Sequence, residues 1–507
     1  MKLIKRTLAY AASALLLVSG TACSDFLDKA PENKVPEESI DYTNLNNMYQ
    51  PVSGVYAIVR TGGLHWITLP LLIVRDDDVW SGRHDDQGDL VTIGENFIYS
   101  NSFWGLNESW NQHYSIIRYA NTALNDLEQF KANITTDADM LRYKTYTGEV
   151  HFLRAYAYYR LTQLFGDVTI LKDNLQSDNT RSKRDVVYQY MLQEDLKYAM
   201  ENLPEVHPAN AEHKGAVTAY TAAALAAKVN LQMGNYEEVE RLTDYIINDG
   251  KFKLYDDYYN LFKTAGKLCC ESMFEVQVTN FGVGSGEEIR PGEWFVFQGP
   301  VNSGVVSGWG FIGYRDQFVK WAEDRGETVR ATTTFLKGGE TTPSGDYIKG
   351  TDNITATNCW NGKSYLPANE TIEGRGYGSG NNIRVLRYAD VLLMNSEAKV
   401  RLGKDGKYGY NEVRKRAHMP ETTSNPSIEE ILDERRMELA GEWGERYMDL
   451  VRTGQAQTVL NEGVDSNPTD RYIIVNGWTP DKTYYPIPLT QIENAPELAN
   501  APKETLE

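Results

Sequence analysis

Cysteine is scarce here, with four in 507 residues. Cys23 stands alone near the amino end. Cys269, Cys270 and Cys359 are odd in number and two are adjacent, so they fit neither a disulfide framework nor zinc-ligand spacing. Stability must therefore come from a core. Long apolar runs are missing too: beyond residue 22 no stretch approaches the ~20 residues of a membrane-spanning helix. Basic charge is short. Lys and Arg number 51 against 70 Asp and Glu, a net −19. Removing residues 1–22, which carry Lys2, Lys5 and Arg6 and no acids, lowers that by three to −22. A chain this acidic repels phosphate backbones and anionic headgroups, which argues against nucleic-acid binding. No GxSxG, HExxH or P-loop occurs, and no catalytic constellation emerges. A glycosidase needs two carboxylates roughly 5–10 Å apart across a cleft, and among so many acids their mere presence has no weight.

Aromatic residues are abundant, at 32 Tyr and 10 Trp. Their rings bury large areas while polar edges tolerate water, which suits binding surfaces. The amino end has a basic stretch, an apolar run from Leu8 to Val18 too short to span a bilayer, and small residues before Cys23. This resembles a bacterial lipobox, with Gly20 in place of the usual Leu. It predicts cleavage and acylation at Cys23, several acyl chains on one residue making a stable anchor.

Helical spacing of apolar residues predicts helices over 41–60, 104–130, 139–165 and 428–442, the last opened by a Ser427/Glu430 capping box. In 139–165, Phe152, Tyr156 and Tyr159 form one stripe and Leu153, Ala157, Leu161 and Leu164 another, which predicts packing on two sides. Residues 217–250 read as a tetratricopeptide-like helix–turn–helix about Gly234-Asn235, and a second such unit starts at Tyr388. Residues 280–385 are glycine-rich and irregular, with one helix expected near 315–323. Trp110, Trp321 and Trp443 fall on helical stripes and are expected in the core. The opposite charges spaced three or four apart over 434–446 predict helix packing rather than chemistry.

Several stretches together resemble the SusD/RagB family of surface nutrient-binding lipoproteins: CSDFLD at 23–28, WNQHYSIIRYANTALNDL at 110–127, GEVHFLRAYAYYRLTQLFGDV at 148–168, RYADVLLMNSEAKVRLG at 387–403, ILDERRMELAGEWGERYMDLVRTG at 431–454 and YYPIPLTQIENAP at 484–496. They run in order over nearly the whole chain. The resemblance implies a mainly α fold with about four tetratricopeptide-like helix pairs plus a loop-rich lobe. The parts would be a signal peptide at 1–22, an acylated Cys23 and tether to residue 40, and an N-terminal helical region at 41–270. A C-terminal region at 271–507 would contain the lobe at 280–385 and helices at 387–452. It also implies an outer-membrane lipoprotein facing outward, capture of oligosaccharide or polysaccharide without cleavage, and a SusC-like TonB-dependent transporter as partner. One branch of the family takes peptides, so a peptide or other polymer is the alternative. A surface glycosidase and a purely protein-binding scaffold rank lower.

Candidate ligand residues come from two places. Stretch 75–89, RDDDVWSGRHDDQGD, predicts a sugar platform: Trp80 stacks on a ring while Asp78, Arg83 and Asp85 bond hydroxyls. In the family this segment commonly lines the ligand site. The alternative is a solvated acidic loop. Its oxygens also suit Ca2+, though the spacing is not that of an EF-hand, and no cofactor is expected. In the lobe, Trp294, Trp309 and Trp360 are candidate platforms, since neighbouring glycines let a backbone expose a large ring. A tryptophan in a loop is more often a local core plug, and that is the competing reading for each.

Overall fold

The structure, a computed structural model, describes residues 40–83, 85–278, 293–301, 307–350, 358–371, 379–461 and 477–506. Cys23 and the tether before residue 40 lie outside the described residues.

The periodic segments fold as helices close to their expected limits. Helix α1 is Gln50–Thr61, α2 Thr68–Ile73, α3 Trp104–Lys131 and α4 Asp137–Phe165. In α4, Thr136 caps the amino end by accepting the Asp139 N–H, and Gly166 closes the other at φ +66°. Both stripes of α4 are buried, so the helix is packed on two sides as its sequence implies. The repeat-like unit becomes α5, Ala219–Met233, and α6, Tyr236–Asp249. A Thr218/Thr221 capping box opens α5, and Gly234 turns the chain at φ +74°. The alanines at 222–224 and 226–227 are buried, and their small side chains let neighbouring helices approach closely.

The lobe adds α7, Glu293–Val296, and α8, Asp316–Asp324, before α9, Tyr388–Arg401, and α10, Lys407–Arg416. Then follow α11, Ile428–Glu438, and α12, Glu445–Arg452. Helix α11 stops short of the expected residue 442. Gly441 and Gly444 take φ +68° and +78°, a left-handed conformation that breaks the helix and that glycine adopts without steric cost.

Two short antiparallel strand pairs tie the lobe to the rest of the chain, and a third lies within it. Strand β1, Val79–Trp80, pairs with β3, Gly313–Tyr314. Strand β2, Ser272–Val276, pairs with β6, Ile383–Arg387. Strand β4, Phe335–Lys337, pairs with β5, Cys359–Asn361.

The charged stretch 434–446 packs inside. Arg435, 1% exposed, donates to Asp390 at 2.7 Å and Asp449 at 2.8 Å. Arg387 donates to Glu271 at 2.6 Å and Glu438 at 2.9 Å. Such networks are costly to break, because a lone buried charge has lost its water. Trp110 and Trp443 are buried as expected. Trp321 is only half-buried; it stacks on Phe318 and lies under the Arg436 guanidinium at 4.5 Å.

Candidate glycan-binding face

The residues predicted for the site separate into three placements. Trp80 is 5% exposed and Trp360 fully buried, which corrects the expectation of open rings at both. Trp80 lies in β1 against β3. Trp360 lies in β5 and packs with Phe295, Leu336, Ile348, Tyr365 and Leu366 in a small core of its own. Asp78 is likewise corrected. It is buried, and Arg436 reaches it from Nε at 2.9 and 3.0 Å, so its oxygens are engaged inside the protein. Asp77 receives Arg446 Nε at 2.8 Å. Burial acts to raise the Asp77 carboxyl, but Arg436 and Arg446 outweigh it and hold it down at about 2. Asp76 accepts the N–H groups of Asp78 and Val79 at 2.9 and 2.8 Å. Burial and the neighbouring Asp78 and Asp77 push its pKa well above the ordinary range. The triple aspartate is thus a structural turn, read in the sequence as part of a ligand site.

Arg83, Asp85 and Trp309 fall together near the surface. The β1–β3 ladder is extended by the Gly82 N–H, which donates to Phe311 O at 3.1 Å. This lays residues 82–83 beside the 309–311 turn. Arg83 then forks onto Asp85, Nε to Oδ1 at 3.0 Å and Nη2 to Oδ2 at 2.9 Å. Arg83 is half-buried and Asp85 exposed. The turn itself is pinned by Trp309 N–H to Val296 O at 2.6 Å and Phe311 N–H to Phe297 O at 2.8 Å. Gly310 sits at φ +71°, and a Cβ there would run into the Val301 side chain and come within 3.6 Å of Arg83 Cδ. Glycine is needed because the chain turns against both.

Two tryptophans that the sequence reading did not single out complete this face. Trp66, in the loop between α1 and α2, has its ring centroid 6.1 Å from Trp309, edge to face at 88°. Trp104, the first residue of α3, lies 5.6 Å from Trp66 and is 46% exposed. Phe311, 5.1 Å from Trp66, and Phe297, 6.3 Å away, pack behind it. His65 flanks Trp104 at 6.3 Å. Trp66 and Trp309 are half-buried, each resting one side on the core with the remainder open. The available signal was weak: a Trp at the first turn of a long helix, and a Trp in a short loop after Gly62-Gly63.

Trp294 is held differently. It stacks on Trp443 at 4.9 Å and 29°, and meets Phe297 edge-on at 5.5 Å. It also lines a cavity of about 60 Å³ with Arg384, Asn361 and Lys363. It supports the aromatic face from behind through Phe297.

Flat, partly open rings beside a bidentate Arg–carboxylate pair offer stacking for apolar ring faces and directional bonds for hydroxyls. This is the chemistry of a surface that holds a polyhydroxylated polymer.

Comparison with known proteins agrees in class. Residues 286–503 match a family model described as SusD family, and residues 25–231 one described as starch-binding associating with outer membrane. The chain belongs to the SusD/RagB family. It is 27% identical over 496 residues to SusD-like protein P2 of Formosa agariphila, covering 90% of this chain and 92% of the relative. It is 25% identical to a SusD-like protein of Bacteroides ovatus, covering 88% and 82%. Among solved structures, surface glycan-binding protein A from Bacteroides thetaiotaomicron in complex with laminarihexaose superposes with a TM-score of 0.73 at 24% identity, over 89% of this chain and 97% of that one. A laminarin-binding SusD-like protein gives 0.71 at 25%, over 88% and 97%. The fold is the mainly α SusD-like fold.

Proposed function

We propose that this protein is a non-catalytic glycan-binding lipoprotein that captures oligosaccharide or polysaccharide at the cell surface. The observation that carries the reading is the convergence of Trp66, Trp104 and Trp309, with centroids 5.6 and 6.1 Å apart, beside the Arg83–Asp85 fork. Rings set at 57° and 88° to one another rather than in one plane suit a curved chain, each ring meeting a different sugar. Relatives named for glycan and laminarin binding support the same ligand class. Acylation at Cys23 would tether the chain to the outer membrane, with which the family is associated. The captured glycan would pass to a SusC-like TonB-dependent barrel. No helix among the described residues is long and apolar enough to cross a membrane, so the proposed attachment rests on the lipid.

The test is affinity electrophoresis of the full chain against a polysaccharide panel, with an amide-rich protein polymer as control. Retardation by one or more glycans, reduced by Trp66→Ala or Trp309→Ala, is the expected result. Retardation by none of the glycans, or slow hydrolysis of a retained one, overturns it.

A further inference from the structure

A second groove shares no lining residue with the aromatic face. It encloses about 260 Å³ between α1, the 213–216 turn and the end of β2, and is lined by Tyr49, Ser53, Arg60, His213, Lys214 and Gln277 among others. Tyr49 and His213 form one wall, stacked at 3.4 Å between centroids and 14° between planes. Arg60 is half-buried and Lys214 exposed. Neither makes an ion pair among the described residues. In a chain with 70 acids against 51 Lys and Arg, two unpartnered cations on one groove need a reason.

The carboxylates that line the groove or stand behind it are already engaged. Glu275, which lines the groove, takes the Leu268 N–H at 3.1 Å and Asn382 Nδ2 at 2.7 Å, and its charge is met by Arg384, Nε to Oε1 at 3.6 Å. Glu149, behind the groove, bonds the hydroxyls of Tyr56 at 2.8 Å and Tyr49 at 3.3 Å. Burial pushes its pKa up to about 8, so it stays neutral near pH 7. Lys267, next in line, is spent on the carbonyls of Val278 and Gly380, both at 2.6 Å. Burial lowers its ammonium pKa; Glu275 pulls the other way, and the like charges of Arg384 and Lys214 add to the lowering. Glu212, next to His213, puts one negative charge near the groove mouth, against the two positive charges of Arg60 and Lys214.

We propose that this groove binds the oxyanion of a single acidic sugar unit, a carboxylate or a sulfate ester, between Arg60 and Lys214. Arginine presents a planar fork that matches both oxyanions, and lysine adds a point charge. The Tyr49 and His213 rings offer an apolar wall to the sugar body; Gln277 is held by Glu275 O and Asn382, and the Ser53 hydroxyl donates to Gln50 O, which leaves its oxygen to accept. The volume is below the roughly 300–1,000 Å³ of sites for drug-sized ligands, which fits one sugar unit rather than a chain. The site is independent of the aromatic face, and would make the protein selective for glycans that carry acid groups.

Titration of the full chain with sodium glucuronate, glucose 6-sulfate and glucose, followed by ligand-observed NMR, tests this. Glucuronate or the sulfate ester binds, glucose does not, and the stronger of the two acids identifies the oxyanion. Arg60→Gln with Lys214→Gln weakens that binding by about tenfold or more, and added salt weakens it in the parent protein. Trp66→Ala and Trp309→Ala leave it unchanged, which separates this site from the aromatic face. Because Arg60 and Lys214 reach the surface, the double variant keeps the parent melting temperature. Equal binding of glucose and both acids, absence of binding by either acid, or full affinity in the double variant overturns the proposal.

Discussion

Arg436 on α11 grips Asp78 with Nε at 2.9 and 3.0 Å across 358 residues of sequence. The pair fixes the start of β1 to a helix from the far end of the chain, and so sets where the Arg83–Asp85 fork and the Trp309 turn lie. Replacing Arg436 with Met leaves two aspartates partly unpaired in the interior. Breaking one side of a buried ion pair typically costs about 3–5 kcal/mol. Urea unfolding of Arg436→Met should show a loss of that order, with any loss of glycan binding following the loss of fold.

Stacking and core tryptophans should separate cleanly. Trp66→Ala, Trp104→Ala and Trp309→Ala should each weaken glycan binding by roughly 1–3 kcal/mol, the range of aromatic platforms for flat ligands, with little change in melting temperature for exposed Trp104. Trp360→Ala should instead cost about 3–5 kcal/mol of stability by opening its small core. Calorimetric titration beside thermal melts distinguishes the two. An unaltered affinity in all three platform variants would sink the assignment of the face.

Gly310→Ala tests how the platform is aimed. At φ +71° an added Cβ is strained and meets Val301. A left-handed conformation costs roughly 1–2 kcal/mol for a residue with a side chain. The expected outcome is a modest fall in melting temperature with a larger fall in glycan affinity, because Trp309 is the adjacent residue.

Glu149 predicts a decline in stability as pH rises from acid to neutral. The unfolded chain releases this proton near 4.5, whereas the folded chain keeps it to about 8. Between those values the unfolded state binds fewer protons, so stability falls as pH rises. It is intact below 4.5 and the loss is complete above about 8. Glu149→Gln should flatten this part of the profile, worth on the order of a few kcal/mol across the window. Melting temperatures of both proteins measured from about pH 5 to 9 give the comparison.

Attachment is tested through Cys23→Ala, which removes the acylation site and should move the protein from the membrane fraction to the soluble one. Continued pelleting with membranes would discard the lipid anchor.

The residues themselves determined the helical scaffold. Periodicity over 104–130 and 139–165, the Thr218 and Ser427 caps and the Gly234-Asn235 turn are local signals. Each acts within a few residues of chain, so each is readable without the rest of the fold. The ordered motifs determined the family in the same way. Which tryptophans stand open was decided only by tertiary structure. Trp80, Trp309 and Trp360 sit in similar loop-like sequence, yet β1 and β5 bury two of them against distant partners, and the 309–311 turn leaves the third half open. Trp66 and Trp104 are brought to the same face from two different elements. Exposure is a property of everything that packs around a ring, and those neighbours come from hundreds of residues away. The three aspartates show the same limit: adjacent in sequence and alike in type, they part in role because Arg436 and Arg446, from helices far along the chain, pair with Asp78 and Asp77 while Asp76 caps its own turn.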